Sequence, residues 1–157
     1  AEGTDDVEFM ISLNPGQPLK PLASVASGGE LSRIMLAIKT VMASRDEIET
    51  LIFDEIDVGI SGRTAQKVSE KMAVIGKAHQ VICITHLAQI AAMADWHYLI
   101  EKATRRGDTR TDIRKLDEEE SVKELARILG GVKITDTVIQ SAVEMKELAK
   151  QTAGQRS

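Results

Sequence analysis

A chain of 157 residues, 43% hydrophobic and 28% charged, fits one domain of ordinary size, and its 3% of aromatics leaves aliphatic side chains to fill the core. The formal net charge of −4 argues against a surface that wraps nucleic acid throughout, so any such contact is local or lies outside these residues. No apolar run approaches the ~20 residues of a membrane span, no secretory leader pattern opens the sequence, and a lone Cys83 forms no internal disulfide, so a cytoplasmic protein without a membrane partner is expected.

Val7, Phe9, Ile11 and Leu13 alternate with Glu8, Met10 and Ser12, the period of a half-buried strand. Residues 14–26 hold Pro15, Gly16, Pro18 and Pro21 and read as an ordered loop without helix. Leu31, Ile34, Met35, Ile38, Val41 and Met42 follow helical spacing. Thr50-Leu51-Ile52-Phe53 is an apolar run of the kind found in buried parallel strands, and it ends in two acids. Ala65, Val68, Met72 and Ile75 predict a second amphipathic helix stopped by Gly76, and residues 80–85 predict another buried strand. Strand, helix and strand in that order form a βαβ unit, whose crossover is right-handed.

Leu87, Ile90, Ala91 and Ala94 suggest a short helix. Residues 97–101 and 111–116 read as two strands joined by a polar turn around Gly107 and Asp108. Ser121 and Glu124 have the spacing of a capping box, opening a helix through Leu129 that Gly130 and Gly131 end. Val138, Ala142, Met145 and Ala149 mark a last helix, and the polar residues from Thr152 onward are expected to fray. The expected organisation is one domain over residues 1–151 and a frayed tail over 152–157.

Three motifs carry chemistry. Ser27-Gly28-Gly29-Glu30-Leu31-Ser32-Arg33 stands directly before the first amphipathic helix. Its plain reading is a capping box with two glycines for a tight entry. The same geometry offers a helix N-terminus, with unpaired N–H groups and a positive dipole end, to a phosphate. Leu51-Ile52-Phe53-Asp54-Glu55 puts two carboxylates at the end of a strand, where such acids either cap the next turn or serve a ligand at the sheet rim. There Asp54 suits a Mg²⁺ ion, directly or through water, and Glu55 could orient or deprotonate a water. Ile84-Thr85-His86 ends the next strand, and a histidine in that place is either structural or a donor to a terminal phosphate. His79 and His97 have no comparable context, and the histidines and cysteine make no zinc pattern.

In this order the motifs resemble the head of ABC-class ATPases. The wording Phe53-Asp-Glu-Ile-Asp-Val-Gly-Ile-Ser-Gly62, Ile84-Thr-His-Leu-Ala-Gln-Ile90, Asn14-Pro-Gly-Gln-Pro-Leu-Lys-Pro-Leu22 and Glu124-Leu-Ala-Arg-Ile-Leu-Gly-Gly131 is similar to the RecN family of SMC-like DNA-repair ATPases, from Val7 to Ala149. The resemblance implies an α/β fold: the C-terminal lobe of an ABC/SMC-type P-loop ATPase head, with a mostly parallel sheet flanked by helices and a small hairpin. It implies ATP and Mg²⁺ as cofactors and nucleoid-associated action on DNA in double-strand-break repair and recombination. Ser27, Gly28, Gly29 and Glu30 match the signature loop, which acts in trans on ATP held by a second head. Asp54 matches the Walker B aspartate, Glu55 the catalytic glutamate and His86 the switch histidine. Residues 56–62 match the D-loop, with Asp57, Gly59 and Ser61; Ser61 departs from the aspartate of many ABC and SMC heads, which leaves its role open.

No Walker A pattern, Gly-x-x-x-x-Gly-Lys-Ser/Thr, and no sustained heptad repeat occur in the sequence. By the resemblance these belong to an N-terminal lobe and a coiled coil, so the chain by itself is expected to be inactive. Lys102, Arg105, Arg106, Arg110, Arg114 and Lys115 surround the predicted hairpin; a solvated basic turn is the plain reading, and a local DNA-backbone contact through Arg105, Arg106 and Arg110 the functional one. Two other classes compete with a head lobe. One is a nucleotide-independent module for self-association or a repair partner. The other is a transporter ATPase fragment, against which the serine-glycine-glycine-glutamate wording and the absence of proline after Glu55 argue.

Overall fold

The computed structural model describes residues 3–12, 15–25, 27–42, 47–105 and 108–154, and the structural statements that follow concern these. In chain order the elements are β1 (Met10–Ile11), β2 (Lys20–Pro21), α1 (Leu22–Val25), α2 (Gly28–Met42), β3 (Thr50–Phe53), α3 (Gly62–Ile75), β4 (Gln80–Cys83), α4 (Ala88–Ala91), β5 (Tyr98–Arg105), β6 (Asp108–Lys115), α5 (Glu118–Gly130) and α6 (Asp136–Gly154). The α/β class stands. Strands β3 and β4 pair in parallel through the α3 crossover, with Thr50 opposite Gln80 and Phe53 opposite Cys83. The mostly parallel sheet is narrower than expected: it is this one pair, and β1–β2 and β5–β6 are separate antiparallel pairs. Each strand therefore has a single partner among the described residues, and no wider sheet forms around the parallel pair.

One apolar cluster joins Leu36 of α2, Leu51 and Phe53 of β3, and Val68, Met72 and Ile75 of α3, with Ile56 and Ile90. A second joins α4, α5 and α6 through Ala88, Ala91, Leu125, Ala126, Ala142 and Ala149. The short helix α4 is the seam, since Ile90 faces the first cluster while Ala88 and Ala91 face the second. Small alanines at the α4–α5–α6 contacts let these helices approach closely, which suits a core with few aromatics.

Several boundaries differ from the sequence pattern. The strand expected over residues 7–13 contracts to Met10–Ile11, leaving Val7 77% and Phe9 71% exposed, because no sheet covers the alternating apolar residues. The stretch read as free of helix contains the single turn α1 directly after Pro21, where the fixed φ of proline and its missing N–H are compatible with a helix start. The hairpin is longer than expected, running to Arg105 and back from Asp108. Helix α5 begins earlier than Ser121. Its capping box is Asp117 and Glu120: the Asp117 carboxylate accepts the Glu120 N–H at 2.8 Å, and the Glu120 carboxylate accepts the Asp117 N–H at 3.1 Å. Glu118, Glu119 and Glu120 extend the helix N-terminally because acids in a first turn complement the dipole. Gly131, with φ 59°, ends it. Helix α6 runs on to Gly154, past Thr152 where fraying was expected, with the Thr152 hydroxyl donating to the Leu148 carbonyl at 2.8 Å; residues 155–157 lie outside the described residues.

Replacing Asp117 by Ala removes the acceptor of the Glu120 N–H and is expected to lower stability by about 1 kcal/mol. Urea unfolding measures it, and an unchanged midpoint would place the cap elsewhere.

Candidate functional site

Because β3 and β4 are parallel and in register, the residues that follow them leave the sheet at one rim. Asp54 and Glu55 follow β3; Ile84, whose N–H donates to the Phe53 carbonyl at 3.0 Å, leads to Thr85 and His86. Asp54 is exposed, and its Oδ1 accepts the Glu55 N–H at 2.9 Å. Glu55 has φ 58°, the one non-glycine with positive φ among the described residues. That conformation costs about 1–2 kcal/mol, so the surrounding contacts have to hold it.

Those contacts come from the glycine segment. Ser27 caps α2 in the box the sequence predicts: its N–H donates to Glu30 Oε2 at 2.8 Å, and its hydroxyl accepts the Glu30 N–H at 3.3 Å. The Ser27 N–H, then its hydroxyl, hold the Glu30 carboxyl below the usual carboxylate range. Gly28 lies under the Glu55 carboxylate, and a Cβ there would stand 2.5 Å from Glu55 Oε2. Gly29 lies under the backbone of the next turn, where a Cβ would stand 2.7 Å from the Glu55 carbonyl and 3.2 Å from Val58 Cβ. One turn further along the same helix, the Ser32 hydroxyl donates to the Asp54 carbonyl at 3.0 Å. Arg33 Nη1 donates to the carbonyls of Ile56 and Val58 at 3.0 and 2.9 Å. The glycines permit the approach and Ser32 and Arg33 fasten it.

Asp57 closes the arrangement on the β4 side. It is 3% exposed, and its Oδ2 accepts the Thr85 hydroxyl at 2.6 Å and the His86 N–H at 2.8 Å, with His86 Nδ1 at 3.0 Å. Burial acts to raise its pKa, but the Thr85 and His86 donors outweigh burial and hold the carboxyl below its usual value. Thr85 Oγ1 in turn accepts the Leu87 N–H at 3.1 Å, which ties the segment to the start of α4. Gly59 and Gly62, with φ 75° and 51°, turn the chain between Asp57 and α3. Ser61 is the N-cap residue of α3 but makes no side-chain capping bond. Cys83 is a thiol pushed up to about 12, by burial first and then by the nearby Asp57 and Asp54 charges, so it stays protonated at neutral pH.

The structure thus brings Ser27, Gly28, Gly29 and Glu30 at the start of α2 to the rim where Asp54, Glu55, Asp57, Gly59, Ser61 and His86 occupy the loops after β3 and β4. The sequence reading gave no part to Ser32, Arg33 or Thr85. Helical spacing could have flagged the first two, since Ser32 and Arg33 follow Gly28 and Gly29 by one turn. Nothing in the sequence marks Thr85 as the hydroxyl that meets Asp57. His79 and His97, to which the sequence gives no role, lie away from these loops: His79 Nδ1 meets the Ile48 carbonyl at 2.7 Å, and His97 Nδ1 meets the Ser121 hydroxyl at 2.9 Å. Three of the hairpin cations have intramolecular partners, Arg110 with Asp108 at 3.1 Å, Arg114 with Glu120 at 2.6 Å, and Lys115 3.3 Å from the centroid of Trp96. Arg105 is described in its backbone alone, and Arg106 lies outside the described residues.

Gly28→Ala and Gly29→Ala are expected to differ. The first displaces the end of a flexible glutamate and changes stability little. The second meets backbone and should cost about 1–3 kcal/mol, because the Glu55 turn has to move. Chemical unfolding of the two variants compares them; equal losses would mean that Gly29 is not wedged under the turn. Asp57 binds its proton more weakly folded than unfolded, so its ionised form stabilises the fold above about pH 4 and this contribution fades as pH falls through the lower folded value. The stability gap between the native chain and Asp57→Asn is therefore expected to be wider at about pH 7 than at about pH 3; a gap independent of pH would show that the carboxylate charge contributes nothing.

No family model matches the chain. Sequence comparison finds proteins called DNA repair protein RecN: 51% identity over 147 residues in Halalkalibacterium halodurans, 48% over 150 in Bacillus subtilis and 52% over 143 in Treponema pallidum, covering 94%, 96% and 91% of this chain. The chain spans about a quarter of the length of these relatives: 26%, 26% and 25%. Among solved structures, a chain from work on ATP-driven dimerization and DNA-stimulated activation of SMC ATPases superposes with a TM-score of 0.50 at 20% identity, covering 76% of this chain and 79% of that one. Over the residues it spans, the chain belongs to the RecN family, and its fold is that of an ABC/SMC-type ATPase head lobe.

Proposed function

We propose that the chain is the C-terminal half of the ATP-binding and hydrolysing head of a RecN-like protein acting in DNA double-strand-break repair and recombination. The observation that carries this is the joining of three separate segments at one sheet rim. Arg33 and Ser32 bind the signature helix to the turn after β3, and Asp57 binds that turn to Thr85 and His86. A lone capping box or a lone acidic turn would not need the other two segments.

The residues fit a nucleotide. The N-terminus of α2 already holds anions of the chain itself, the Glu30 carboxylate on the Ser27 N–H and the Glu55 carboxylate over Gly28. A phosphate of a second head's ATP would take the place over Gly28 once Glu55 swings away, and Ser27, Gly28 and Gly29 would offer it a hydroxyl and backbone N–H groups. Glu30 keeps the helix start in shape. Asp54 offers one exposed carboxylate to Mg²⁺, and no group of His, Cys, Asp or Glu that could hold a metal unaided occurs among the described residues. A Mg²⁺ ion there would complete its shell with water and phosphate and supply charge neutralisation. Glu55 takes a proton from the attacking water in its own head's site. His86 stands at the same rim to meet the terminal phosphate, and Asp57, Gly59 and Ser61 form the loop that faces the second head.

The face of the parallel pair opposite the core supports a further lobe. Ile52, Ile82 and Ile84 are 68%, 45% and 50% exposed there, and a Walker A lobe packed on them would cover an apolar surface. DNA contact belongs to the complete protein. If the hairpin contributes through Arg105, Arg106 and Arg110, Arg110 gives up only an exposed pairing to Asp108, which is worth little. No helix among the described residues is long and apolar enough to cross a membrane.

Assaying ATP hydrolysis by this chain, alone and with a separately supplied N-terminal half, tests the reading. Turnover at background alone and above it with both halves is expected; turnover by the chain alone, lost in Glu55→Gln, would show that the other half is not needed. In the complete protein, Glu55→Gln should slow the chemical step while ATP-engaged dimers accumulate, and Ser27→Arg should prevent engagement while leaving the fold intact, since losing a cap costs about 1 kcal/mol. Light scattering with ATP separates them. Equal dimerisation of both variants would return Ser27 to a cap and nothing more.

A further inference from the structure

The hydrogen-bond ladder between β3 and β4 ends just short of the site. Its last bond runs from the Ile84 N–H to the Phe53 carbonyl at 3.0 Å. Beyond it one loop carries Asp54 and Glu55 and the other carries His86, and strand pairing no longer fixes the distance between them. Thr85, to which no motif gives a part, makes the next link. Its hydroxyl donates to Asp57 Oδ2 at 2.6 Å, the length of a bond to an ionised carboxylate, and its oxygen accepts the Leu87 N–H at 3.1 Å. A threonine hydroxyl has one hydrogen to donate and two lone pairs, so it makes both bonds at once. Branching at Cβ stiffens the side chain and holds the hydroxyl in place.

Both ends of this link are anchored. On the β3 side the Val58 N–H closes the turn onto the Glu55 carbonyl at 3.0 Å, and Arg33 Nη1 holds the Ile56 carbonyl at 3.0 Å. Asp57, 3% exposed, therefore shifts together with the main chain of Glu55. On the β4 side Thr85 directly precedes His86, whose main-chain N–H donates to the same Asp57 oxygen at 2.8 Å, and Leu87 is the N-cap residue of α4.

We propose that Thr85 is a positioning residue for ATP hydrolysis, setting through Asp57 the separation between the Glu55 turn and the main chain of His86. The proposal rests on the nucleotide reading above, in which Glu55 serves the attacking water and His86 the terminal phosphate. Groups that act on one phosphate and its attacking water have to keep their spacing, since a misplacement of about 1 Å costs on the order of a hundred-fold in rate. Losing the hydroxyl removes one donor to Asp57 and the acceptor of the Leu87 N–H, which loosens the main chain on both sides of His86 and leaves the two strands as they are. Thr85 touches no nucleotide in this arrangement, so its loss falls on the chemical step and not on ATP binding.

Steady-state ATP hydrolysis by the complete protein that contains this chain tests the assignment. Thr85→Val keeps the shape and loses the hydroxyl; its kcat is expected to fall by about ten- to a hundred-fold with KM little changed. Thr85→Ser keeps the hydroxyl and should retain most of the native rate. Thr85→Val combined with Asp57→Asn should be no slower than the slower of the two single variants, because both residues act through one link. Circular dichroism establishes that each variant is folded before its rate is read. If Thr85→Val does not fold, Thr85→Ala, which leaves room for a water beside Asp57, takes its place in the comparison with Thr85→Ser. A native kcat without the hydroxyl, or Thr85→Ser as slow as the variant that lacks it, overturns the proposal and leaves Thr85 a structural tie. Losses that multiply in the double variant overturn it too, since Thr85 would then act apart from Asp57. A complete native protein that does not hydrolyse ATP is a different failure: it sinks the nucleotide reading, and this proposal with it.

Discussion

A single buried oxygen holds the functional rim together. Asp57 Oδ2 takes donors from Thr85 and His86, two residues that follow β4, while Asp57 itself belongs to the turn that follows β3. Two parallel strands fix the depth at which their chains emerge, but they do not fix the direction in which the loops travel. An ionised carboxylate placed between the loops does that, and its burial is tolerable because these donors outweigh the loss of solvent. Removing the charge would free two loops at once, and with them the exposed face of His86. The neighbouring thiol of Cys83 responds to the same field by staying protonated.

The segment from Ser27 to Arg33 joins a helix cap to a close backbone approach. Its capping box satisfies the first N–H groups of α2, and its glycines let the Glu55 turn lie directly on the helix end. Glu55 adopts a left-handed backbone that glycine would accept more readily, and its carboxylate settles over the positive end of the helix dipole. Strain of this kind persists because Arg33 and Ser32 of α2 hold the turn through its carbonyls.

The apolar surface left uncovered has the same physical origin as the narrow sheet. Leu51 and Phe53 face the α2–α3 cluster, while Ile52, Ile82 and Ile84 face away from it. A parallel strand pair with apolar residues on both faces belongs between two layers, and the described residues supply one. Val7 and Phe9 are exposed for the same reason: alternation in the sequence prepares a strand for a sheet, and only a neighbouring strand or layer makes it buried.

Local chemistry settled much of this protein at the level of sequence. The helical spacing of Leu31 to Met42 and of Ala65 to Ile75, the apolar run at Thr50–Phe53 and the Ser27–Glu30 box each form where the pattern places them, and the strand expected over residues 80–85 forms over Gln80–Cys83, because each depends on contacts a few residues apart or on one buried face. The α/β class and the order of the motifs around one rim followed from these. Choices between competing local signals needed tertiary structure. Asp117 rather than Ser121 caps α5, since Ser121 is buried against His97 and Lys146 at the α6 contact. The partners of Asp57, the grip of Arg33 on the turn after β3 and the orientation of His86 were equally out of reach. Each joins residues that lie twenty or more positions apart, and the strength of a buried charge depends on donors that only the folded chain brings to it.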